Sequence, residues 1–422
     1  MRIRRHSLPA LCFTASVIIA AALALVVFQL NTAPALTLAL QGDSEAPVTL
    51  RFFGIHRLPQ DPWPNVPFGG WRVTIAWRSV EPQKGTWDFK AADQDVEQAI
   101  QHNADLVLLV GFTPRWASVT PDRPCKVGLG ECAEPKNIQD WKDWIAKIAS
   151  RYKGQVKYYE VWNEPNDSEY FYTGSISGLV EMTKAAHEVV ASIDPEIKIL
   201  SPAPTGPAGV DLMAKYLAAG GGRYADIISY HFYVPGPPEG LYRYVQQIHG
   251  LMEQNGVGNK PLWDSENGWA GAALDGETQA AYVARATLVE RAAGVSRLFW
   301  YAWGIKQSLH FVEDDKLTPS SGGQAIKILQ DWILGKAVEK CESSDIPPPR
   351  GTSHALWTCS LLRNGIRDFV VWNPDGNREF GVPDGWGARI NEVRDLSGGV
   401  RRLPPNRRTT IGKQPILFTH GQ

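Results

Sequence analysis

The sequence carries little charge and has no bias toward either sign. Only 21% of its 422 residues are charged, and 43 Lys and Arg nearly balance 44 Asp and Glu. A nucleic-acid-binding protein usually presents a basic face, so this balance argues against a nucleic-acid partner. The apolar fraction of 44% is that of an ordinary globular protein, which excludes disordered, collagen-like and coiled-coil chains.

Nucleotide-binding motifs are lacking as well. No G-x-G-x-x-G follows a predicted strand, and the sequence has no Walker loop. These motifs mark dinucleotide and phosphate sites, so a nucleotide-binding, doubly wound sheet is disfavoured. Tryptophan, in contrast, is abundant, with 16 residues. Large aromatic side chains can fill a core, and in this number they also indicate a surface that stacks on flat, weakly polar ligands such as sugar rings.

Acidic residues are absent before Asp43. Three arginines lie among the first five residues, and an apolar run follows over residues 8–30. This pattern is typical of a signal peptide, and a run of this length can also span a bilayer. A cleavage-site pattern at residues 33–35 leaves both a signal peptide and a retained anchor open for residues 1–35. The positive-inside rule then predicts that the rest of the chain is exported, either periplasmic or secreted, or tethered to the inner membrane through residues 8–30.

Cysteine is scarce, and four of the five cysteines follow the export segment. An oxidising compartment favours disulfides. Sequence proximity predicts a Cys125–Cys132 bridge within one loop and a Cys341–Cys359 bridge between neighbouring strands, although two other connectivities exist. A four-cysteine zinc site needs closely spaced C-x-x-C-like pairs, which this sequence does not have, so no metal site is predicted.

Strand and helix patterns alternate through the middle of the chain. Eight short apolar, β-rich runs are followed by helical patterns, for example over Asn137–Tyr152 and Ser175–Ile193. Eight such units predict an α/β fold, a (β/α)8 TIM barrel with parallel strands. The predicted strands are Leu50–Ile55, Trp71–Trp77, Leu106–Phe112, Val156–Trp162, Ile197–Ser201, Ile227–Phe232, Pro261–Ser265 and Arg297–Trp303.

The pattern changes after residue 334. Short alternating segments separated by turn residues replace the strand–helix units, and they predict a small C-terminal antiparallel β-sandwich-like domain. Residues 36–335 carry a net negative charge and residues 336–422 a net positive one, which also suggests two domains. The predicted boundaries are residues 1–35 for the export segment, 36–334 for the barrel and 335–422 for the β domain. Trp357 and Trp372 fall in strand patterns and are expected to pack between the two domains.

Two carboxylates follow predicted barrel strands. Glu164 comes after strand four and Glu266 after strand seven, and the carboxyl ends of barrel strands form the usual active-site face. Retaining glycoside hydrolysis needs two carboxyl groups about 5 Å apart, one as nucleophile and one as proton donor and then base. Glu160 and Asp264 are competitors, but strand alternation points both away from the face of their neighbours, so structural roles are expected for them.

The residues around this pair resemble those of a known group of enzymes. Asn163-Glu164-Pro165, together with Glu266, resembles glycoside hydrolase clan A, the retaining (β/α)8 glycosidases. The resemblance covers residues 50–305. It implies that Glu164 is the general acid/base, that Glu266 is the nucleophile, and that Asn163 binds the 2-hydroxyl of the sugar.

Other positions match the clan pattern in part. Arg72 resembles the strand-two arginine that keeps the nucleophile ionised, although an ion pair at the bottom of the barrel is an alternative for it. His231 and Tyr233 resemble the strand-six pair, in which the tyrosine hydrogen-bonds the nucleophile. Both would contribute to substrate binding.

Three tryptophans are candidates for stacking on the sugar. The clan carries a tryptophan on strand eight as the floor of the sugar subsite, and Trp303 is the first candidate for that role, with Trp300 second. Strand three departs from the pattern, because several clan families have a histidine at that rim. Trp116 follows this strand and is expected to supply a stacking wall instead.

Within the clan the sequence is most similar to family 39, with the cellulases of family 5 as the nearest competitor. That family includes β-xylosidases, α-L-iduronidases and bacterial enzymes that cut exopolysaccharide, and the export segment favours the last group. The expectation is therefore a retaining, endo-acting hydrolase of an extracellular or periplasmic polysaccharide or oligosaccharide that needs no cofactor. Two alternatives stay open: a non-catalytic carbohydrate-binding or polysaccharide-assembly protein, and a transglycosylase that uses the same two glutamates.

Overall fold

Eight parallel strands form a nearly closed barrel, as predicted. The computed structural model describes residues 46–58, 60–269, 274–304, 309–343 and 356–421, so the predicted export segment and the tether at residues 8–30 lie outside the described residues. The barrel strands are β1 (Phe53–Ile55), β2 (Gly70–Ala76), β3 (Asp105–Gly111), β4 (Tyr158–Val161), β5 (Lys198–Leu200), β6 (Ile228–Tyr230), β7 (Leu262–Asn267) and β8 (Val295–Trp300).

The strands run around the barrel in the order β5, β4, β3, β2, β1, β8, β7, β6. Isolated parallel bridges from Leu200 to Ile227 and from Thr205 to His231 join the two ends of this sheet. Aromatic and aliphatic side chains fill the interior, among them Tyr158, Trp263 and Phe299. Gly54 of β1 is required there, because a Cβ atom at this position would overlap the ring of Phe299.

Seven long helices follow strands β2 to β8. They are α1 (Lys90–Gln101), α2 (Ile138–Arg151), α3 (Ile176–Ile193), α4 (Gly209–Ala218), α5 (Gly240–Gln254), α6 (Gly276–Ala292) and α7 (Ser321–Ile333). Asn137 caps α2 by accepting a hydrogen bond from the N–H of Gln139, as its sequence position predicts. Trp141, Trp144 and Ile148 line the buried face of α2, so the helix predicted from their apolar spacing is confirmed.

The ends of two predicted strands are wrong. Leu50–Phe52 forms a 3-10 turn, so β1 contains only three residues. The predicted eighth strand extends to Trp303, but β8 ends at Trp300 and an irregular segment follows. Apolar, β-rich composition marks a buried segment but does not fix the residue at which pairing stops.

An antiparallel sheet follows the barrel, also as predicted. Its six strands are ordered β9, β10, β11, β16, β13, β14, and β12 pairs separately with β15. Apolar side chains between the two sheets, including Val371, Phe380 and Phe418, form a small core of sandwich type. The strands are β9 (Ala337–Ser343), β10 (Trp357–Arg363), β11 (Ile366–Trp372), β12 (Arg378–Gly381), β13 (Ile390–Arg394), β14 (Val400–Arg402), β15 (Arg408–Ile411) and β16 (Ile416–His420).

The other face of this six-stranded sheet packs against the barrel helices. Trp357 and Trp372 stack with ring centroids 5.8 Å apart and belong to the same core as the barrel, which confirms their predicted packing role. The indole N–H of Trp372 donates to Glu239 at the start of α5 at 2.6 Å, and Glu239 is paired with Arg285 of α6. Because α6 lies between the barrel and this sheet, most of its residues are buried.

Both predicted disulfides are present. Cys125 is bonded to Cys132 in the loop after β3, and Cys341 of β9 is bonded to Cys359 of β10. Disulfides of this kind are typical of proteins from oxidising compartments, which agrees with an extracellular protein. Among the helices in the described residues, none is both long and apolar enough to cross a membrane.

Candidate active site

The segment after β4 carries Asn163 and Glu164 to the mouth of the barrel. Trp162 and Glu164 both have positive φ angles, 67° and 40°, which are uncommon for residues other than glycine. The indole N–H of Trp162 donates to Phe171, and the backbone N–H of Glu164 donates to Ala203. Such backbone conformations persist where the surroundings fix them, and they occur preferentially at functional sites.

A β-bulge in β7 brings Glu266 to the same place. Leu298 of β8 is aligned with Asp264, but Trp300, two residues later, is aligned with Asn267, so β7 has one extra residue here. Trp263 points into the barrel and Asp264 outward, and simple alternation would point Glu266 outward too. The bulge rotates the strand so that the Glu266 carboxylate faces the barrel mouth, which is a known effect of bulges beside active sites.

Arg72 of β2 is the charged centre of the site. It is 3% exposed, and its guanidinium group donates to Glu160 at 2.5 Å, to Glu266 at 2.9 Å and to Asn163 at 3.0 Å. The planar group therefore holds the predicted nucleophile and the predicted sugar-binding amide in a fixed relation. This position, at the mouth, differs from the alternative of an ion pair at the barrel bottom.

His231 connects Arg72 with Glu164. Its Nε2 lies 3.3 Å from Nη2 of Arg72, and its Nδ1 lies 2.9 Å from Oε1 of Glu164. An arginine can only donate, so Nε2 must accept and the ring proton must be on Nδ1. His231 therefore donates to Glu164. Tyr233 donates from its hydroxyl group to Oε1 of Glu266 at 3.0 Å.

The two glutamates are close together. One side-chain atom each from Glu164, His231 and Glu266 lies within 4.8 Å of the others. Retaining glycosidases place their carboxyl groups about 5–5.5 Å apart and inverting ones about 6.5–9.5 Å apart, and two side-chain oxygens within 4.8 Å are consistent with the retaining arrangement. The same spacing could accommodate a cation, but the guanidinium group of Arg72 already supplies the positive charge next to Glu266.

Burial, hydrogen bonds and nearby charges shift the pKa values of the two glutamates in opposite directions. Burial raises the pKa of Glu266, with the charge of Glu164 adding to it, and the nearby His231, Arg72 and Tyr233 only partly oppose this. Burial acts in the same direction on Glu164, but donation from His231 and Thr205 and the charge of Arg72 outweigh it and lower the pKa. The two carboxyl groups therefore lie in different electrostatic surroundings, although they are close together.

The two competing acids have structural surroundings, although one expectation about them is wrong. Glu160 points into the barrel, because it alternates with the inward-facing Tyr158, and it accepts hydrogen bonds from Arg72 and Ser229. It lies beneath the site and not on the opposite face. Asp264 points outward, as expected, and its Oδ1 accepts from the backbone N–H of Glu266 at 3.3 Å.

The predicted stacking tryptophans do not line the site. Trp300 and Trp303 are completely buried, so neither offers a ring face to a sugar, and the expectation for both is wrong. The sequence was interpreted as one strand up to Trp303, whereas β8 ends at Trp300 and the chain then turns. Trp116 is half-buried, and it packs against Trp77 and donates to the backbone of Glu81 in the segment after β2.

Two aromatic residues at the mouth were missed. Tyr301 is partly exposed, and its backbone N–H donates at 2.7 Å to Asn267, the residue after Glu266. Burial together with the charges of Glu266 and Glu164 raises the pKa of Tyr301. His56 follows β1, packs against the Tyr301 ring at 5.4 Å and contacts the carbonyl group of Ser265 at 2.9 Å. Burial and the charge of Arg72 keep the pKa of His56 well below its usual value. The position of His56 directly after a predicted barrel strand is the sequence signal that could have identified it as a site residue.

Comparison with known proteins agrees with this geometry. A family model described as glycosyl hydrolase catalytic core matches residues 134–331. The resemblance to glycoside hydrolase clan A is confirmed. A family 39 glycoside hydrolase from Bacteroides cellulosilyticus WH2 has a TM-score of 0.69 at 18% identity, over 90% of this chain and 82% of that chain. A family 39 β-xylosidase from Caulobacter crescentus has a TM-score of 0.61 at 13% identity, over 90% and 97%.

The curated sequence relatives match a smaller part of the chain. A β-xylosidase from Geobacillus stearothermophilus is 21% identical over 241 residues, which are 50% of this chain and 48% of the relative. The chain thus spans less than half the length of the curated relatives that it matches. At such low identities the structural neighbours establish the fold, and the activity has to be argued from the site itself.

Proposed function

We propose that this protein is a retaining glycoside hydrolase that cleaves an exported polysaccharide at internal linkages. The observation that carries the proposal is the spacing of Glu164 and Glu266 within 4.8 Å at the barrel mouth. The disulfides support action in an oxidising compartment, and exopolysaccharide processing is the proposed setting. The names of the relatives make β-linked xylose polymers the first substrates to test.

In the first step the Glu266 carboxylate attacks the anomeric carbon while Glu164 gives its proton to the leaving oxygen. A covalent glycosyl-enzyme forms, and water that is deprotonated by Glu164 then releases the sugar from Glu266. Asn163 is held by Arg72 where it can bind the 2-hydroxyl group of the sugar. Tyr233 orients the attacking carboxylate through its hydroxyl hydrogen bond.

This chemistry requires an ionised Glu266 and a protonated Glu164 at the moment of attack. A bound sugar excludes water and lowers the local dielectric, which strengthens the contact between Glu266 and the Arg72 cation at 2.9 Å. Glu164 accepts its hydrogen bond from His231 instead. With substrate bound, the negative charge is therefore expected on Glu266 and the proton on Glu164.

The test uses 4-nitrophenyl glycosides of xylose, glucose and mannose and of their β-linked disaccharides. Glu266→Ala and Glu164→Gln should each lower turnover by at least a thousandfold, while Glu169→Gln, an exposed glutamate in the loop after β4, should leave it unchanged. Azide should restore product formation in Glu266→Ala with inverted anomeric configuration, because it replaces the missing nucleophile.

The wild-type product should retain its configuration, as observed by NMR. Wild-type turnover in either active-site variant, or an inverted wild-type product, would contradict the proposal. Binding without product over long incubation would favour the non-catalytic alternative. Transfer to added acceptor sugars in preference to water would favour the transglycosylase.

A further inference from the structure

The barrel wall is open on one side of the site. β1 pairs with β2 only through Gly54–Gly70 and Ile55–Trp71, so residues 72–76 of β2 are paired on their β3 edge alone. In the described residues between β1 and β2 the chain forms no helix that could cover this edge. The barrel wall therefore has a gap between β1 and β2, beside Arg72.

A cavity of about 540 Å³ occupies this gap, and we call it the β2 cleft. Its lining comes from the residues after β1, from β2 and the turn after it, from the first turns of α1, and from Tyr301. The volume lies in the range of small-molecule sites, about 300–1,000 Å³. Arg72 lines the cleft and donates to Glu266, and Tyr301 lines it and donates from its backbone to Asn267, so the cleft adjoins the site.

The position of Glu164 tells which part of a saccharide reaches the cleft. Glu164 is held by Ala203 after β5 and by His231 after β6, across the barrel from β1, β2 and β8. Because the proton donor faces the leaving oxygen, the leaving group lies on the side of Glu164. The β2 cleft is on the opposite side and receives the glycone, the part of the chain that becomes attached to Glu266.

Asp95 of α1 is a buried acid in the lining of this cleft. It is only 3% exposed, and its Oδ1 has no hydrogen-bond partner among the described residues. Burial raises the pKa of Asp95 to about 6, and the nearby charge of Arg57 opposes this. A buried carboxylate oxygen without a partner is unfavourable, and a hydroxyl donor from a ligand relieves it. Exposed hydroxyl groups of Thr74 and Ser79 add further polar contacts to the same lining.

We propose that the β2 cleft binds a second sugar residue on the glycone side, and that Asp95 accepts a hydrogen bond from one of its hydroxyl groups. This inference rests on the proposed function and sharpens it. An enzyme that removes single terminal sugars needs one glycone subsite. A protein with a second one binds at least two sugar units before the cleaved bond and releases a disaccharide or a longer product.

The experiment compares two substrates of the same sugar, the 4-nitrophenyl monosaccharide and the 4-nitrophenyl β-disaccharide. Asp95→Asn should lower kcat/KM for the disaccharide about tenfold more than for the monosaccharide, with most of the change in KM. A defect in folding or in the catalytic pair would lower both values alike. Glu97→Gln on the exposed side of α1 is the matched control and should leave both unchanged.

A second variant covers the case in which Asp95→Asn fails to fold. Ala91 is an exposed residue of α1 in the cleft lining, and Ala91→Trp fills the cleft from its open side. It should shift the ratio of the two kcat/KM values in the same direction. An unchanged ratio in either folded variant, or release of single sugars alone from long chains, overturns the subsite while the hydrolase stands. Absence of hydrolysis across the whole panel overturns the proposed function, and the subsite with it.

Discussion

The Arg72 guanidinium group provides the most direct test of how the site is held together. In Arg72→Met the side chain keeps much of its volume but loses all its donors to Glu160, Glu266 and Asn163. Glu160, which is fully buried, is then left without its cation. Glu266 is affected less, because its side chain is 15% exposed and water can compensate in part.

The magnitude follows from the fully buried partner. Removal of one member of a buried ion pair costs about 3–5 kcal/mol, because it leaves an uncompensated charge inside the protein. We therefore expect Arg72→Met to lower the free energy of unfolding by about that amount. Urea denaturation measures it, with tryptophan fluorescence as the signal, at a pH near neutrality.

The double variant Arg72→Met/Glu160→Gln separates charge from packing. Removal of the stranded carboxylate should restore at least about 1 kcal/mol of the loss, since contacting residues couple by about 0.5–3 kcal/mol in double-mutant cycles. A single variant that loses less than about 1 kcal/mol would refute the view that Arg72 neutralises a buried acid. A double variant that is no more stable than the single one would refute it as well.

Two further predictions concern stability. Burial raises the pKa of Glu290 to about 8, so the folded state keeps a proton that the unfolded state loses above about pH 4.5. As the pH rises from about 4.5 to about 8, the free energy of unfolding should therefore fall by up to about 1.4 kcal/mol per pH unit. Glu290→Gln should flatten this slope, as measured by urea denaturation at several pH values. An unchanged slope in the variant would contradict the raised pKa of Glu290. Cys125→Ser/Cys132→Ser opens a loop with a sequence separation of 7, which should cost about 2–3 kcal/mol by the same measurement. A loss below about 0.5 kcal/mol would show that other contacts already hold the loop.

The fold could be predicted because buried strands and amphipathic helices have different periods. The run Leu106–Phe112 and the stripe of Trp141, Trp144 and Ile148 are such signals, and each corresponds to an element of the structure. The alternation around Val370 and Trp372 likewise marks a strand with one face toward the barrel. These signals are local, so a single sequence is sufficient to read them.

The candidate site could be predicted only in part, because side-chain direction depends on backbone irregularities. Alternation alone would place Glu266 on the same face as Asp264, and only the bulge in β7 separates them. The early end of β8 likewise removes Trp303 from the site and brings Tyr301 to it. Asp95 lies in an amphipathic helix whose sequence has no unusual feature. Its place in the lining of the β2 cleft follows only from the three-dimensional arrangement of β1, β2 and α1.

The contact of Trp372 with Glu239 has a consequence for how this protein can be divided. The indole N–H of Trp372 donates to Glu239, which also accepts from Arg285. The C-terminal sheet therefore completes a buried polar network of the barrel helices. A detachable carbohydrate-binding module has a hydrated linker and a surface of its own. Here, removal of the C-terminal sheet would expose the buried residues of α6 to water, together with the Arg285–Glu239 ion pair. The two parts are thus expected to unfold together, and variants for biochemical work should keep both.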